Sequence, residues 1–128
     1  MIDDNIRHRI EGIDLIPASV DEDFHDSLIL NINYNPSYDN SWVDITLKTW
    51  SHENNDTQDI VVVFHLEDIR EFHIDNQTCC FTTCLDIEEC RMAANEYWEG
   101  CLDFTMDEIS VCISAQKISV LSVEAYKQ

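Results

Sequence analysis

Histidines and carboxylates at close spacing are the residues of this chain best suited to chemistry. His25 precedes Asp26, and a carboxylate beside an imidazole fixes its tautomer and supports acid/base work. Neighbours on a strand point to opposite faces, however. The pair is therefore expected to open a strand by bonding nearby backbone amides, not to act as a dyad. His65 and His73 bracket Glu67-Asp68, and across a hairpin they would face each other. Glu67 or Glu71 would then supply a third metal ligand. A closed, non-catalytic arrangement is the stronger expectation.

Six cysteines add little to this. Cys79, Cys80, Cys84, Cys90, Cys101 and Cys112 contain no C-x2-C spacing, and no histidine pair lies nearby at zinc-ligand spacing. With no export signal they are expected to be reduced thiols. Cys101 and Cys112 sit in strand-like runs and read as small buried apolar residues. Cys79 and Cys80 lie in a polar turn region, with almost no positive neighbours to activate a thiolate. There is no Gly-x-Ser-x-Gly, no Cys with an obvious His partner and no glycine-rich phosphate cradle. Carboxylate pairs are common, but 26 acidic residues produce them by chance. The expectation is a protein that is not an enzyme and needs neither cofactor nor metal.

The elements around these residues are mostly strands. Phe24–Tyr34 opens the pattern, with Leu28, Leu30, Ile32 and Tyr34 on one face and Ile29, Asn31 and Asn33 on the other. Asn35–Asn40 is a turn built on Pro36. In Trp42–Trp50, Val43, Ile45 and Leu47 share one face; Trp42, Asp44, Thr46, Lys48 and Trp50 share the other. These two strands are expected to pair as a hairpin. Ser51–Gln58 reads as a loop, and the β-branched run Ile60–Leu66 as a central strand covered on both faces. Glu67–Asp75 should follow as a strand after a tight turn or bulge at Glu67-Asp68, with Phe72 and Ile74 opposite Glu71 and His73.

The remainder is less regular. In the first twenty residues Ile6, Ile10 and Ile13 share a helical face, but Gly12 and Pro17 keep any helix brief. A short strand over Ile13–Ile16 is equally compatible. Asp86–Asn95 reads as the best helix, with Asp86 and Glu89 as a capping box and Ile87, Cys90 and Ala94 on one face. Around and after Gly100 come strands, the first with Trp98, Leu102, Phe104 and Met106 on one face, then Ile109–Ala115, then Ile118–Tyr126. The sum is one α+β domain over residues 1–128. It should be a mainly antiparallel, strongly bent sheet of about six to seven strands with one or two short helices.

Charge narrows the class of partner. The chain has 26 acidic and 7 basic side chains, formally -19, with 13 acids on each side of Phe64. Such a field repels nucleic acid and anionic membrane and speeds encounter with a basic protein. The acidic start, Met1-Ile2-Asp3-Asp4-Asn5, lacks the positive region of a signal peptide, and no run approaches the roughly 18 apolar residues of a membrane span. A cytoplasmic protein is expected, with a monomer favoured. Trp42 and Trp50, on the polar face beside Asp44 and Lys48, have the composition of a protein interface, unless a helix covers that face.

From Phe24 to Ile74 the chain resembles bacterial immunity proteins, the small cytosolic inhibitors of polymorphic or contact-dependent growth inhibition toxins. The resemblance rests on the triplet Phe24-His25-Asp26 opening the first strand, then Trp42–Trp50 and Ile60–Leu66. It implies tight binding to a cognate toxin domain; many such toxins are nucleases, whose clefts are basic. Acids and aromatics flanking the first three strands would make the contact: Asp23, Asp26, Trp42, Asp44, Trp50, Glu67, Asp68 and Glu71. The cysteines of Cys79–Cys90 have no place in that pattern. Two other classes fit less well: an acidic type III secretion chaperone, which would be dimeric with longer amphipathic helices, and a metal-binding protein or hydrolase using His65 and His73.

Overall fold

A computed structural model describes residues 1–53, 56–76, 87, 89–94, 100–105 and 109–126. Its strands are β1 (Leu28–Asn35), β2 (Trp42–Glu53), β3 (Asp56–Asn76), β4 (Glu89–Ala94), β5 (Gly100–Thr105) and β6 (Ile109–Ala125). They form a six-stranded antiparallel sheet in the order β1-β2-β3-β6-β5-β4. Two short helices precede it, α1 (Asp4–Arg7) and a 3₁₀ turn (Ile13–Leu15). Ile13–Ile16 is thus not a strand.

Alternation builds the core. Val43, Ile45 and Leu47 of β2 are buried, as are Ile60, Val62, Phe64 and Leu66 of β3 and Val111, Ile113 and Ala115 of β6. This inner face is closed by Ile2, Ile6, Ile10, Val20 and Phe24 from the N-terminal segment. β3 is central, as its β-branched run predicts. Its outward Val61 and Val63 are half-buried, so the second face is only partly covered.

Several expectations are corrected. Asp86–Asn95 does not form a helix: its described part is an edge strand, with Cys90 and Met92 buried between exposed Glu89 and Arg91. That period of two outweighs the helical spacing of Ile87, Cys90 and Ala94, because the segment pairs with β5 along its length. Residues 86, 88 and 95 lie outside the described residues. In β1 a bulge at Leu30 shifts the register between Ile29 and Asn31. Ile29 is consequently buried and Leu30 exposed, the reverse of the alternation expected there. Ser51–Gln58 is not a loop throughout, since β2 runs to Glu53 and β3 begins at Asp56. Trp98 and Met106, like the side chains of Leu102 and Phe104, lie outside the described residues.

The break expected at Glu67-Asp68 is a kink within β3, and β6 runs unbroken through the gap expected between Ala115 and Ile118. Asp68 takes φ +58°, and Ser41 accepts the freed amides: Asp68 N donates to its carbonyl and Ile69 N to its Oγ, both at 2.9 Å. With those groups satisfied β3 continues through the kink. Further along β6, inside the expected Ile118–Tyr126 strand, Leu121 is an extra residue where Val63 pairs with Ser122 and Phe64 with Val120.

The N-terminal segment also covers sheet edges. Ile2 bridges Met92 on β4, and Glu11 bridges Ser119 on β6, where the Val120 amide donates to the Glu11 carbonyl at 2.7 Å. Gly12 makes that approach possible. It holds φ +80°, and an added Cβ would lie 2.4 Å from the Val120 carbonyl oxygen. Gly12→Ala is therefore expected to destabilise the protein by about 2 kcal/mol or more, through backbone strain and a forced shift off β6. A urea midpoint equal to that of the parent chain would contradict this.

Candidate functional site

Period two and the antiparallel register place four polar or aromatic side chains together on the outer face. Asp44 lies directly across from His65, and Trp42 across from Glu67. His65 Nδ1 is 2.5 Å from Asp44 Oδ1, and its Nε2 is 3.3 Å from Glu67 Oε1. The Trp42 ring lies 6.1 Å from the imidazole, tilted by 35°. A neutral imidazole donates to one carboxylate and an imidazolium to both. Either way the ring holds the two acids apart beside a tryptophan.

This geometry fits recognition better than reaction. Both nitrogens of His65 face carboxylates, so the three groups do not converge on a common point for a metal. Among the described residues no group of three or more His, Cys, Asp or Glu is placed to hold one. His65 and His73 do not face each other across a hairpin. They lie eight residues apart on β3, which at strand rise is about 25 Å. Ser119 is the cross-strand neighbour of His65 on β6, but its Oγ donates to the His65 carbonyl at 3.2 Å and leaves the imidazole alone. No serine–histidine relay forms there.

The other residues expected at an interface are scattered. Glu71 is exposed beyond the kink. Asp68 sits in the kink itself, 3.3 Å from Arg70 Nη2. Trp50 is half-buried at the far end of the same face, opposite Asp59. Beside it Lys48 lies 3.8 Å from Asp59 and 4.3 Å over the Tyr126 ring. Asp23 is 2.6 Å from the amino group of Met1. His25 and Asp26 do approach each other, Nε2 to Oδ2 at 3.6 Å, because they sit in a turn before β1 and not on a strand. Asp26 there has φ +64°, and its amide donates to the Ile87 carbonyl at 2.8 Å. The strand-opening contact is thus made by backbone.

No helix covers the Trp42 face among the described residues: α1 contacts β4, and the 3₁₀ turn contacts β6. Trp42, Asp44 and His65 are half-buried, and Glu67 is exposed. Next along the row is Lys117, across from Glu67 and 3.0 Å from Glu11. Its hydrogen bond to Glu11, with the charges of Glu11 and Glu67, raises the ammonium above the ordinary lysine range. Lys117 therefore stays protonated and offsets part of the local negative charge. Cys90 is buried and Cys112 half-buried. Cys79, Cys80 and Cys84 lie outside the described residues, as does the side chain of Cys101.

No family model, curated protein or solved structure matches this chain. Its function is therefore argued from its own charge and surface. The sequence marked Trp42, Asp44 and Glu67 but weighed His65 only as the less favoured metal ligand; only the cross-strand register reveals that His65 joins them.

Proposed function

We propose that this chain is a single-domain immunity protein that binds and neutralises a basic bacterial toxin domain in the cytoplasm. The observation that carries this is the outer-face cluster of Trp42, Asp44, His65 and Glu67 on a chain of net charge -19. An aromatic anchor among acids suits a cationic protein: the ring supplies contact energy and the charges speed encounter. Many such toxins are nucleases, whose phosphate-binding clefts are basic, so an acidic face can occupy the same ground. A strongly bent sheet would present this face as a convex surface. Supporting the bend, Ile87 before β4 exchanges backbone hydrogen bonds with Asp26 and Ser27 before β1, although these are opposite edges of the sheet.

The proposal is tested by co-expressing the chain with the toxin gene adjacent to its own. Growth should be restored, and absence of protection would remove the idea. Association with the purified toxin should slow about tenfold at low salt when Glu67 and Glu71 are both changed to lysine, and this gap should close as salt rises. Stopped-flow rates indifferent to both the substitutions and the salt would show that charge does not guide encounter.

A further inference from the structure

We propose that the outer edge of β1 takes up an extended, cationic segment of the protein partner as an added strand. This rests on the reading of a basic partner given above. The sheet treats its edges unequally. β4 is bridged by Ile2, and β6 beyond its pairing with β5 is bridged by Glu11. β1 ends the strand order. Among the described residues, backbone hydrogen bonds on its outer side stop at Asp26 and Ser27, before the strand begins. Leu30 is 46% exposed and Tyr34 40%, with Asn31 and Asn33 exposed between them.

Proteins normally block such an edge with lysine, proline or an inward charge. β1, Leu-Ile-Leu-Asn-Ile-Asn-Tyr-Asn, has none of these and carries only the bulge at Leu30. The occupant follows from charge and register. Asn33 lies directly across from Asp44, and exposed Asp26 stands at the strand's start. A second copy of this chain would bring another -19 and is disfavoured; a basic segment is attracted. Its outward side chains would lie beside Asn31 and Asn33, within reach of Asp44. Its inward ones would lie beside Ile32 and Tyr34. The segment should therefore alternate lysine or arginine with apolar residues.

The test uses the full chain and a capped decapeptide of alternating lysine and valine. The control has the same composition with alternating L and D residues, which keeps the charge but cannot form a strand. The all-L peptide should bind roughly tenfold more tightly and slow amide exchange over Leu28–Asn35. Leu30→Lys should weaken it about tenfold, whereas Leu30→Glu should not. Equal affinity for the two peptides, or protection appearing on another strand, would overturn the proposal, as would concentration-dependent dimers protected at β1. Toxin assays separate the two ideas: Leu30→Lys that retains full neutralisation defeats the edge and leaves the immunity reading intact. Peptide binding without neutralisation by the parent chain does the opposite.

Discussion

Phe24→Ala should cost about 3–5 kcal/mol of stability. Phe24 is 1% exposed and meets Phe64 edge-to-face at 5.9 Å and 90°. It already lines a cavity of about 70 Å³ together with Ile13, Ile16 and Val20. Removing the ring would enlarge a space that the surrounding turns cannot collapse to fill, because their backbones are bound. Phe24 N donates to Asp21 O, and Ser27 N to Phe24 O, each at 2.9 Å. Against a total stability of roughly 5–15 kcal/mol, the variant would approach unfolding at growth temperature. In urea its midpoint should fall by about 2 M.

The backbone supplies a second signature. Phe24 holds φ +50°, costly for any residue with a Cβ. Alanine keeps that strain, whereas glycine relieves it. Phe24→Gly should therefore be at least as stable as Phe24→Ala, inverting the usual order of these residues. A loss below about 1 kcal/mol for Phe24→Ala would show that the triplet is not a core anchor. The same turn carries the Asp26 and Ser27 hydrogen bonds to Ile87. The triplet thus secures the start of β1 to the residue that leads into β4.

Much of this sheet was legible because burial differs between the two faces of a strand. In β2 the alternation of Val43, Ile45 and Leu47 with Trp42, Asp44 and Thr46 predicts both the strand and its orientation, and the structure agrees. β1 was harder, since one extra residue at Leu30 reverses facing and leaves no mark in composition. β4 misled because Ile87, Cys90 and Ala94 fit a helix while Cys90 and Met92 fit a strand. Over six residues only pairing with β5 decides between them. At Glu67-Asp68 a polar interruption resembles a turn until Ser41, distant in sequence, is seen to satisfy the kinked backbone. The candidate site has the same limit: Trp42 and Asp44 announce a polar face, but His65 and Glu67 join them only through strand register.

Trp42→Ala should weaken binding to the toxin domain proposed as partner by about 2–4 kcal/mol, roughly 30-fold to 1,000-fold in Kd. The loss should appear mainly as faster dissociation, since an aromatic anchor acts after encounter. Stability of the free protein should hardly change, because Trp42 is half-buried on the outer face and lies outside the Phe24–Phe64 core. That separates it from Phe24→Ala, which should lower both. Trp42→Phe should recover part of the affinity by keeping a ring near His65. Combining Trp42→Ala with Glu67→Lys measures whether the cluster acts as a unit. Cross-strand neighbours bound through one imidazole should be non-additive by more than about 0.5 kcal/mol, whereas independent contacts would sum. Should Trp42→Ala leave dissociation unchanged while neutralisation persists, the toxin meets another surface, and the exposed edge of β1 would have to hold it unaided.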